Sequence, residues 1–435
     1  MLPMRGVIYS MGLQMRIEKQ LKLHSAALIY SLLSPSVASA YPFLYTGIHQ
    51  IANSGLSALG SSDATATAAN PANLSDAQAT SSYADMAIVS MQYIYAHTNY
   101  DPVYLKTVAP PVNLGLNVKT DSGLSLGLLV SPRTAPGAKP IRVNSVPTFT
   151  GAGYALFNLD IEQSGFMGGL GAGYKLPATG WSVGLTLLYG EDGQEISAYA
   201  SEGDQSLPGM DMKYSGRSIQ GLMGIAYADG RSSLGMTFRS PAARRYDGDI
   251  ASAVTDNVYD HYHGVSYHPA QLTGAVQVGR GVMDYLMQVN RDFWSLGRNV
   301  ANRGLPYGSP ETDFTDSFGV SFAAKLRQSD STSLSASCGY YSANTGDGSA
   351  IDHGSTALDD TAIPVQTGME FGQMEAIPRA VLGAGMIRTL GDNRGSWVFS
   401  GNYQTGTRTI PVGHKGEGWY HIDVFTVASG LNVKF

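Results

Sequence analysis

Much of the chain alternates between apolar and small or polar residues with a period of two, which is the pattern of a β-strand with two different faces. Between positions 112 and 118 the even positions are valine or leucine, and the odd positions are glycine or asparagine. Similar alternation recurs over 124–131, 181–190, 233–239 and 425–435. We therefore expect a protein built of β-strands, each with one apolar face.

The connections between these runs predict how many strands there are. Six short segments rich in glycine, aspartate and asparagine predict tight turns, and seven longer stretches predict outer loops. This arrangement corresponds to 14 strands if 151–176 is one long strand with a bend in its glycine-rich middle. Splitting it there would give an odd number of strands, which bacterial barrels of one chain avoid. The predicted turns are 120–122, 177–180, 229–230, Arg280, 328–330 and 391–394, and the predicted loops are 97–111, 132–150, 191–211, 241–267, 293–313, 343–375 and 405–419.

Composition decides what surrounds the apolar faces. Charged residues are 14% of the chain, against about 25% in ordinary soluble domains. The polar faces carry glycine, serine, threonine and asparagine rather than the charges that a water-facing sheet usually shows. No run of 18 or more apolar residues predicts a membrane helix, and a net charge of −6 argues against nucleic acid as a partner. We expect an all-β protein, a 14-stranded antiparallel transmembrane β-barrel whose lumen face has few charges and suits apolar cargo.

The N-terminal region predicts export. A segment with Arg16, Lys19 and Lys22 precedes the mostly apolar run 23–33, and small residues end at Ala40. This is the pattern of a signal peptide over 1–40 that is cleaved near Ala40, and translation begins at Met1 or Met15. Residues 41–82 lack alternation and are interpreted either as a flexible periplasmic tail or as a plug inside the lumen. The barrel is expected to cover 83–435.

Other candidate chemistry is weak. His261, His263 and His268 lie close together in a predicted loop, but solvated loop histidines are the favoured interpretation over a metal site. The glycine-rich segment 168–173 lacks the lysine and helix of a phosphate-binding loop. Cys338, the only cysteine, cannot form an intramolecular disulfide. No Gly-x-Ser-x-Gly elbow stands out. We therefore expect no enzyme activity, no metal and no cofactor.

Short motifs resemble those of a known family. Ser54-Gly55-Leu56 is followed by Asn70-Pro71-Ala72 just ahead of the first predicted strand. This order resembles the N-terminal hatch of the FadL/TodX-type transporters of the bacterial outer membrane, which carry long-chain fatty acids and other hydrophobic compounds. The segment between the two motifs is somewhat short for that family. Further resemblance lies in 234–241, 293–295 and 377–379 with 383–385.

The resemblance implies a mechanism and a set of site residues. It implies passive transport of long-chain fatty acids or hydrocarbons across the outer membrane, with a hatch over 41–82 that gates exit through the barrel wall. The expected partners are these hydrophobic molecules, outer-membrane lipid and lipopolysaccharide, and the expected state is a monomer. By resemblance, the hatch and gating residues are Ser54, Gly55, Leu56, Asn70, Pro71 and Ala72, the ligand-pocket residues are Tyr41, Phe43, Leu44 and Arg239, and the lateral opening lies at Ser131 and Pro132.

Two other classes of protein stay open at this point. A general diffusion porin would have a lumen that 41–82 leaves unblocked, together with measurable conductance. A barrel that assists secretion or adhesion would copurify with a partner complex. The cargo also stays open among fatty acids, aromatic hydrocarbons and other lipids. Ordinary strand termination explains Pro132 as well as a lateral opening does.

Overall fold

The structure is a computed structural model of the 435-residue chain. Its described residues are 56–96, 103–109, 112–132, 141–150, 153–202, 205–252, 258–297, 315–343, 377–391, 394–410 and 418–435. Within these ranges no helix is long and apolar enough to cross a membrane.

The described strands form one closed antiparallel barrel. Eighteen strand segments belong to a single sheet, and β1 pairs with β18 from Ser81–Lys434 to Ala96–Trp419, which closes the wall. The segments of β2/β3, β4/β5 and β9/β10 each run end to end along a shared neighbour, and β11 and β12 run end to end along β10 and β9, so the wall has 14 strand positions. The predicted barrel and its strand number are confirmed. The segments are β1 Ser81–Ala96, β2 Val103–Ala109, β3 Val112–Lys119, β4 Leu124–Pro132, β5 Ile141–Thr150, β6 Gly153–Lys175, β7 Trp181–Glu202, β8 Gln205–Ala228, β9 Ser232–Arg239, β10 Ala242–Ser252, β11 Val258–His268, β12 Ala270–Arg280, β13 Met283–Phe293, β14 Ser317–Arg327, β15 Thr332–Tyr341, β16 Arg379–Leu390, β17 Gly395–Ile410 and β18 Gly418–Lys434.

The alternation of the sequence separates an outer face from an inner face. On β7 the outward residues Trp181, Val183, Leu185 and Leu187 are exposed, while the residues between them are buried. Large apolar side chains on the outside and small or polar side chains on the inside are the arrangement of a barrel whose exterior meets lipid. The period-two pattern follows because successive residues of a strand point to opposite faces.

Aromatic pairs border the lipid-facing band. The rings of Trp181 and Tyr227 lie 4.9 Å apart near the turns, and those of Phe166 and Tyr189 lie 5.7 Å apart toward the other end. The eight residue steps from Trp181 to Tyr189 span about 20 Å of height at about 3.3 Å per residue and a tilt near 40°. This height agrees with a hydrocarbon band bordered by aromatic belts.

Both chain ends of the barrel lie at the same edge as the short turns. Ser81 of β1 pairs with Lys434 of β18, and the tight connections between β3 and β4 and between β6 and β7 lie at that edge. In outer-membrane barrels the short turns face the periplasm. The short turns match the sequence prediction with one shift, because Arg280 is the last residue of β12 and the turn is formed by Gly281 and Val282.

The predicted outer loops are wrong in several places because strands extend through them. Segments β2, β5, β10 and β11 lie within stretches that were expected to be loops, and β7, β8 and β17 run far into others. The segments β10 and β11 are largely polar and lack the apolar alternation that identifies the lipid-facing part of a strand, while a bulge between Val143 and Val146 interrupts the pattern of β5. Their backbone pairing needs no apolar face, so hydrophobic patterning does not detect them.

Candidate functional site

Residues 56–80, which we call the plug, lie against the inner face of the barrel. The plug contains a one-turn helix, α1 (Ala66–Ala69), and a 3-10 helix (Pro71–Asp76). Almost all of its residues between 63 and 75 are buried. These contacts concern residues 56–80 alone, and a hatch over the whole of 41–82 stays a prediction.

The wall facing the plug consists largely of glycine. Eight inward-facing glycines lie so close to the plug that an added Cβ atom would meet plug atoms at or below normal contact distance. A Cβ on Gly184, for example, would lie 2.6 Å from the carbonyl oxygen of Pro71. Glycine is therefore required because two backbones approach each other closely. The eight are Gly115, Gly127, Gly169, Gly171, Gly173, Gly184, Gly224 and Gly235, on β3, β4, β6, β7, β8 and β9.

This contact corrects the interpretation of the glycine-rich segment 168–173. The sequence suggested glycines at a bend in a long strand, but β6 is continuous and three of these glycines face the plug. Their common property is the absence of a side chain, which leaves a groove for Thr67 and Leu74.

The side chain of Asn70 makes three hydrogen bonds, within the plug and to the wall. Its Nδ2 donates to the carbonyl oxygen of Ala58 at 2.8 Å and to that of Ile225 in β8 at 3.4 Å. Its Oδ1 accepts from the backbone N–H of Ala72 at 3.1 Å, which caps the 3-10 helix beginning at Pro71. Pro71 suits the first helical position because it has no N–H to satisfy.

Two wall side chains bind the plug backbone from the other side. The Oε1 atom of Gln288 in β13 accepts from the N–H groups of Ser57 and Ala58 at 2.8 and 3.0 Å. Arg239 at the end of β9 donates from Nη2 to the carbonyl oxygen of Ala68 at 2.9 Å. These bonds satisfy backbone groups that would otherwise be buried without partners.

The periplasmic end of the plug is tied to the rim of the barrel. Lys119 Nζ donates to the carbonyl oxygen of Ala77 at 2.6 Å, and Lys175 Nζ lies 3.1 Å from Asp76 Oδ1. Exposed ion pairs of this kind contribute little on their own. They nevertheless hold residues 76–77 at the edge of the barrel where the chain continues into β1.

The ladder between β3 and β4 ends before either strand does. The register of β3 with β4 ends at Leu114–Val130, whereas β4 continues to pair with β6 up to Pro132–Phe166. Asn113 and Ser131, the next residues in that register, are both buried. We call this place, where β3 and β4 part, the seam.

An apolar cluster lies just inside the seam. Leu129 packs with Ala68 of the plug and Leu188 of β7, and Met167 borders them. Met167 is the backbone partner of Ser131 on β6. The inner surface behind the seam is therefore apolar and continuous with the plug.

A polar cluster borders the same place on the side of β1. Asn113 donates to Asp85 Oδ1 from its backbone N–H at 3.2 Å and from Nδ2 at 2.8 Å. The hydroxyl of Tyr83 also donates to Asp85. These bonds satisfy a buried carboxylate and hold the end of β3 to β1.

Charged side chains form a row across the upper lumen. Arg239, Gln271 and Asp292 are in register on β9, β12 and β13, and Gln271 donates to Asp292 at 2.7 Å. Ser317 also donates to Asp292, at 3.2 Å, and buried Arg379 faces inward on β16. The lumen therefore carries more charge than the sequence pattern suggested, because its charged residues are scattered singly over several strands.

The sequence-predicted site residues fall into three groups. Tyr41, Phe43, Leu44, Ser54 and Gly55 lie outside the described residues. Asn70, Pro71 and Ala72 lie in the plug against β7 and β8, and Leu56 packs on Leu286 and Ala323. Arg239 binds the plug and faces Asp292, while Ser131 and Pro132 lie at the end of β4.

The sequence missed the wall residues that hold the plug. Gln288 and the eight plug-facing glycines carried a weak signal, since each lies on the small or polar face of an alternating run. The histidines at 261, 263 and 268 belong to β11 rather than a loop.

Comparison with known proteins gives a likeness at the level of structure. No protein-family model matches the sequence, and no curated protein sequence matches it. A FadL homologue of Pseudomonas aeruginosa has a TM-score of 0.61 and 10% identity, with 89% of this chain and 97% of that chain covered. The toluene transporter TodX of P. putida gives 0.60 and 10%, with 89% and 97% covered. The toluene transporter TbuX of Ralstonia pickettii gives 0.59 and 12%, with 90% and 100% covered.

These likenesses establish the fold. The chain has the barrel architecture of FadL- and TodX-type outer-membrane proteins, over about nine tenths of its length. Function still has to be argued from the site.

Proposed function

We propose that this protein lets hydrophobic small molecules, such as long-chain fatty acids or aromatic hydrocarbons, cross the bacterial outer membrane. The observation that carries the proposal is the seam at Ser131 with the apolar cluster of Leu129, Leu188, Ala68 and Met167 directly inside it. Transfer of an apolar molecule from this surface into water is unfavourable, whereas movement through the seam would take the molecule into lipid.

The plug supplies the gate in this proposal. It closes the lumen beneath the seam, and Ala68 and Leu74 form part of its apolar surface. Movement of the plug between Ala58 and Asn70 changes access to the seam, and the Asn70 bonds to Ala58 and Ile225 set the cost of that movement. The N-terminal stretch with Tyr41, Phe43 and Leu44 is proposed to compete with cargo for the pocket.

Arg239 gives this pocket a polar end. Its guanidinium is tied to the plug through Ala68, which is also a member of the apolar cluster. A cargo with an apolar tail and an acidic head can therefore place its tail on the cluster and its head near Arg239. The names of the structural neighbours, a FadL homologue and toluene transporters, support a hydrophobic cargo but leave open whether it is acidic or neutral.

Closing the seam with a disulfide tests the proposal. Asn113→Cys and Ser131→Cys occupy the next antiparallel register position, where Cα atoms of a closed ladder lie about 5 Å apart, within disulfide reach. Cys338, exposed on the outer face of β15, is first replaced by alanine. Oxidised cells should take up a labelled long-chain fatty acid and toluene no faster than cells lacking the protein, and a reductant should restore uptake.

A second pair of cysteines serves as the control. Leu116→Cys with Leu128→Cys joins a position where β3 and β4 are already paired, so oxidation there should leave uptake unchanged. Uptake that is insensitive to the crosslink at 113 and 131 would remove the lateral route.

A further inference from the structure

The inner face of β15 differs from the part of the described wall that the plug covers. Its inward residues, from the periplasmic to the outer end, are Ser333, Ser335, Ser337, Gly339 and Tyr341, and all five are partly accessible to water. On β7, by contrast, every inward residue from 182 to 190 is buried. The accessible column runs over the full length of the strand.

The neighbouring strand widens this column. On β16 the inward residues Gly383, Gly385, Ile387 and Thr389 are also partly accessible. Ile387 packs at the border of the cluster around Ala64 of the plug, and so marks where the plug ends. Apart from Ile387, the inward residues of β15 and β16 in this column are glycines or carry hydroxyl groups.

Charged groups line both ends of the column. Near the periplasm, Lys325 of β14 is the register partner of Ser335 on β15 and of Asp284 on β13. Toward the outside, Asp292 and Arg379 lie in the row that borders Tyr341. Such groups are stable inside a barrel when they are paired or hydrated, and pores use them to select ions.

We infer that the lumen along β15 and β16 is a water-filled axial passage for small polar solutes, separate from the route proposed for hydrophobic cargo. It lies beside the plug, on the side of the barrel away from the seam, and its walls offer hydroxyl groups and charges. The inward charged side chains next to this column on β13–β16 include Asp284 and Lys325 near the periplasm and Asp292 and Arg379 toward the outside. The charges at these positions should therefore set the ion preference of the passage.

The passage is tested by conductance of the purified full-length protein in a planar bilayer with potassium chloride. The wild-type protein should give discrete channels. Ser335→Trp places an indole in the column and should reduce single-channel conductance roughly twofold or more, because it narrows the path. Ala336→Trp is the matched control, since Ala336 is exposed on the lipid-facing side of the same strand, and should conduct like wild type.

Ion selectivity gives a second, independent readout. Lys325→Glu should shift the reversal potential in a potassium chloride gradient toward cation preference. The same change at Arg388, which is exposed on the outer face of β16, should shift it little. A wild-type protein without channels, or channels that ignore both Ser335→Trp and Lys325→Glu, would overturn the inference.

These outcomes are distinct from those of the proposed function, on which this inference does not rest. The crosslink between positions 113 and 131 should stop hydrophobic uptake and leave conductance intact. Ser335→Trp should do the reverse. Loss of one activity without the other therefore identifies which of the two proposals fails.

Discussion

Two sides of this barrel use similar small residues for opposite purposes. On the side of β4, β6, β7 and β8, inward glycines such as Gly127 and Gly184 are in direct contact with the plug. On the side of β15 and β16, inward serines and glycines such as Ser335 and Gly385 are partly accessible to water. Small residues in a barrel wall thus signal close approach of a backbone in one place and open space in another, and only the neighbouring segment decides which.

The covered side carries an apolar cluster at the seam, and the accessible side carries charged residues at both ends of its column. Leu129 and Leu188 meet the plug near the seam, while Asp284 and Lys325 face each other across β13 and β14. An apolar solute and a hydrated solute would therefore favour different sides of one lumen. Three changes to the protein test this contrast.

The largest effect is expected from filling the groove that holds the plug. In Gly184→Val the new side chain would collide with Pro71 and Ala72, and overpacking of this kind costs about 1–3 kcal/mol or more. The plug should leave its place, so its backbone amides should exchange hydrogen quickly while the barrel stays folded. Mass spectrometry of peptides covering 56–80 measures this exchange.

Gly274→Val is the control for that substitution. Gly274 lies on the lipid-facing side of β12, with nothing within 4 Å of an added Cβ, and valine is well suited to a strand. Slow exchange of the plug in both variants would mean that the contact at Gly184 does not hold it.

A smaller effect is expected from removing one polar anchor. Asn70→Ala leaves the N–H of Ala72 and the carbonyl oxygen of Ile225 without this partner, at a cost of about 1–3 kcal/mol for a buried group. Plug exchange should accelerate, by less than in Gly184→Val. Asn73→Ala removes only one bond of 3.2 Å to Ala58 and should have a weaker effect. Equal effects of the two changes would contradict the central place of Asn70.

The smallest effect concerns the outer rim of the accessible side and depends on pH. Burial by itself would raise the pKa of Asp316, but hydrogen bonds from Ser295 and Arg291 outweigh it and hold that pKa below its ordinary value. Because the pKa of Asp316 is lower in the folded state, its ionised carboxylate stabilises the rim at pH values above the ordinary pKa of aspartate. This stabilisation is lost as the pH falls through the lowered pKa.

The rim around Trp294–Gly297 should therefore loosen only under strongly acid conditions. Hydrogen exchange of this segment as a function of pH measures the transition. Asp316→Asn lacks the titrating group and should remove the pH dependence, while plug exchange should stay the same. A pH response that persists in Asp316→Asn would assign it to another group.

Much of the fold could be predicted because it depends on local pattern. The outward column of β7 and the turn at Asp229–Gly230 are visible in consecutive residues, and both are found in the structure. Strand extensions such as β10 were missed because they are largely polar and do not alternate. The motif Asn70-Pro71 lies in the plug, but it gave no sign of the glycines that receive the plug.

The sequence by itself determined the strand period, the lipid-facing surface and the number of strands, since each follows from residues close together in the chain. Only the tertiary structure decided which inward faces the plug covers, where the ladder of β3 and β4 ends, and which charges meet. Asn70 and Gly224, or Arg239 and Asp292, are brought together by the registers of distant strands. The sequence of one strand does not determine its register with a distant strand, so the site forms only when the barrel closes.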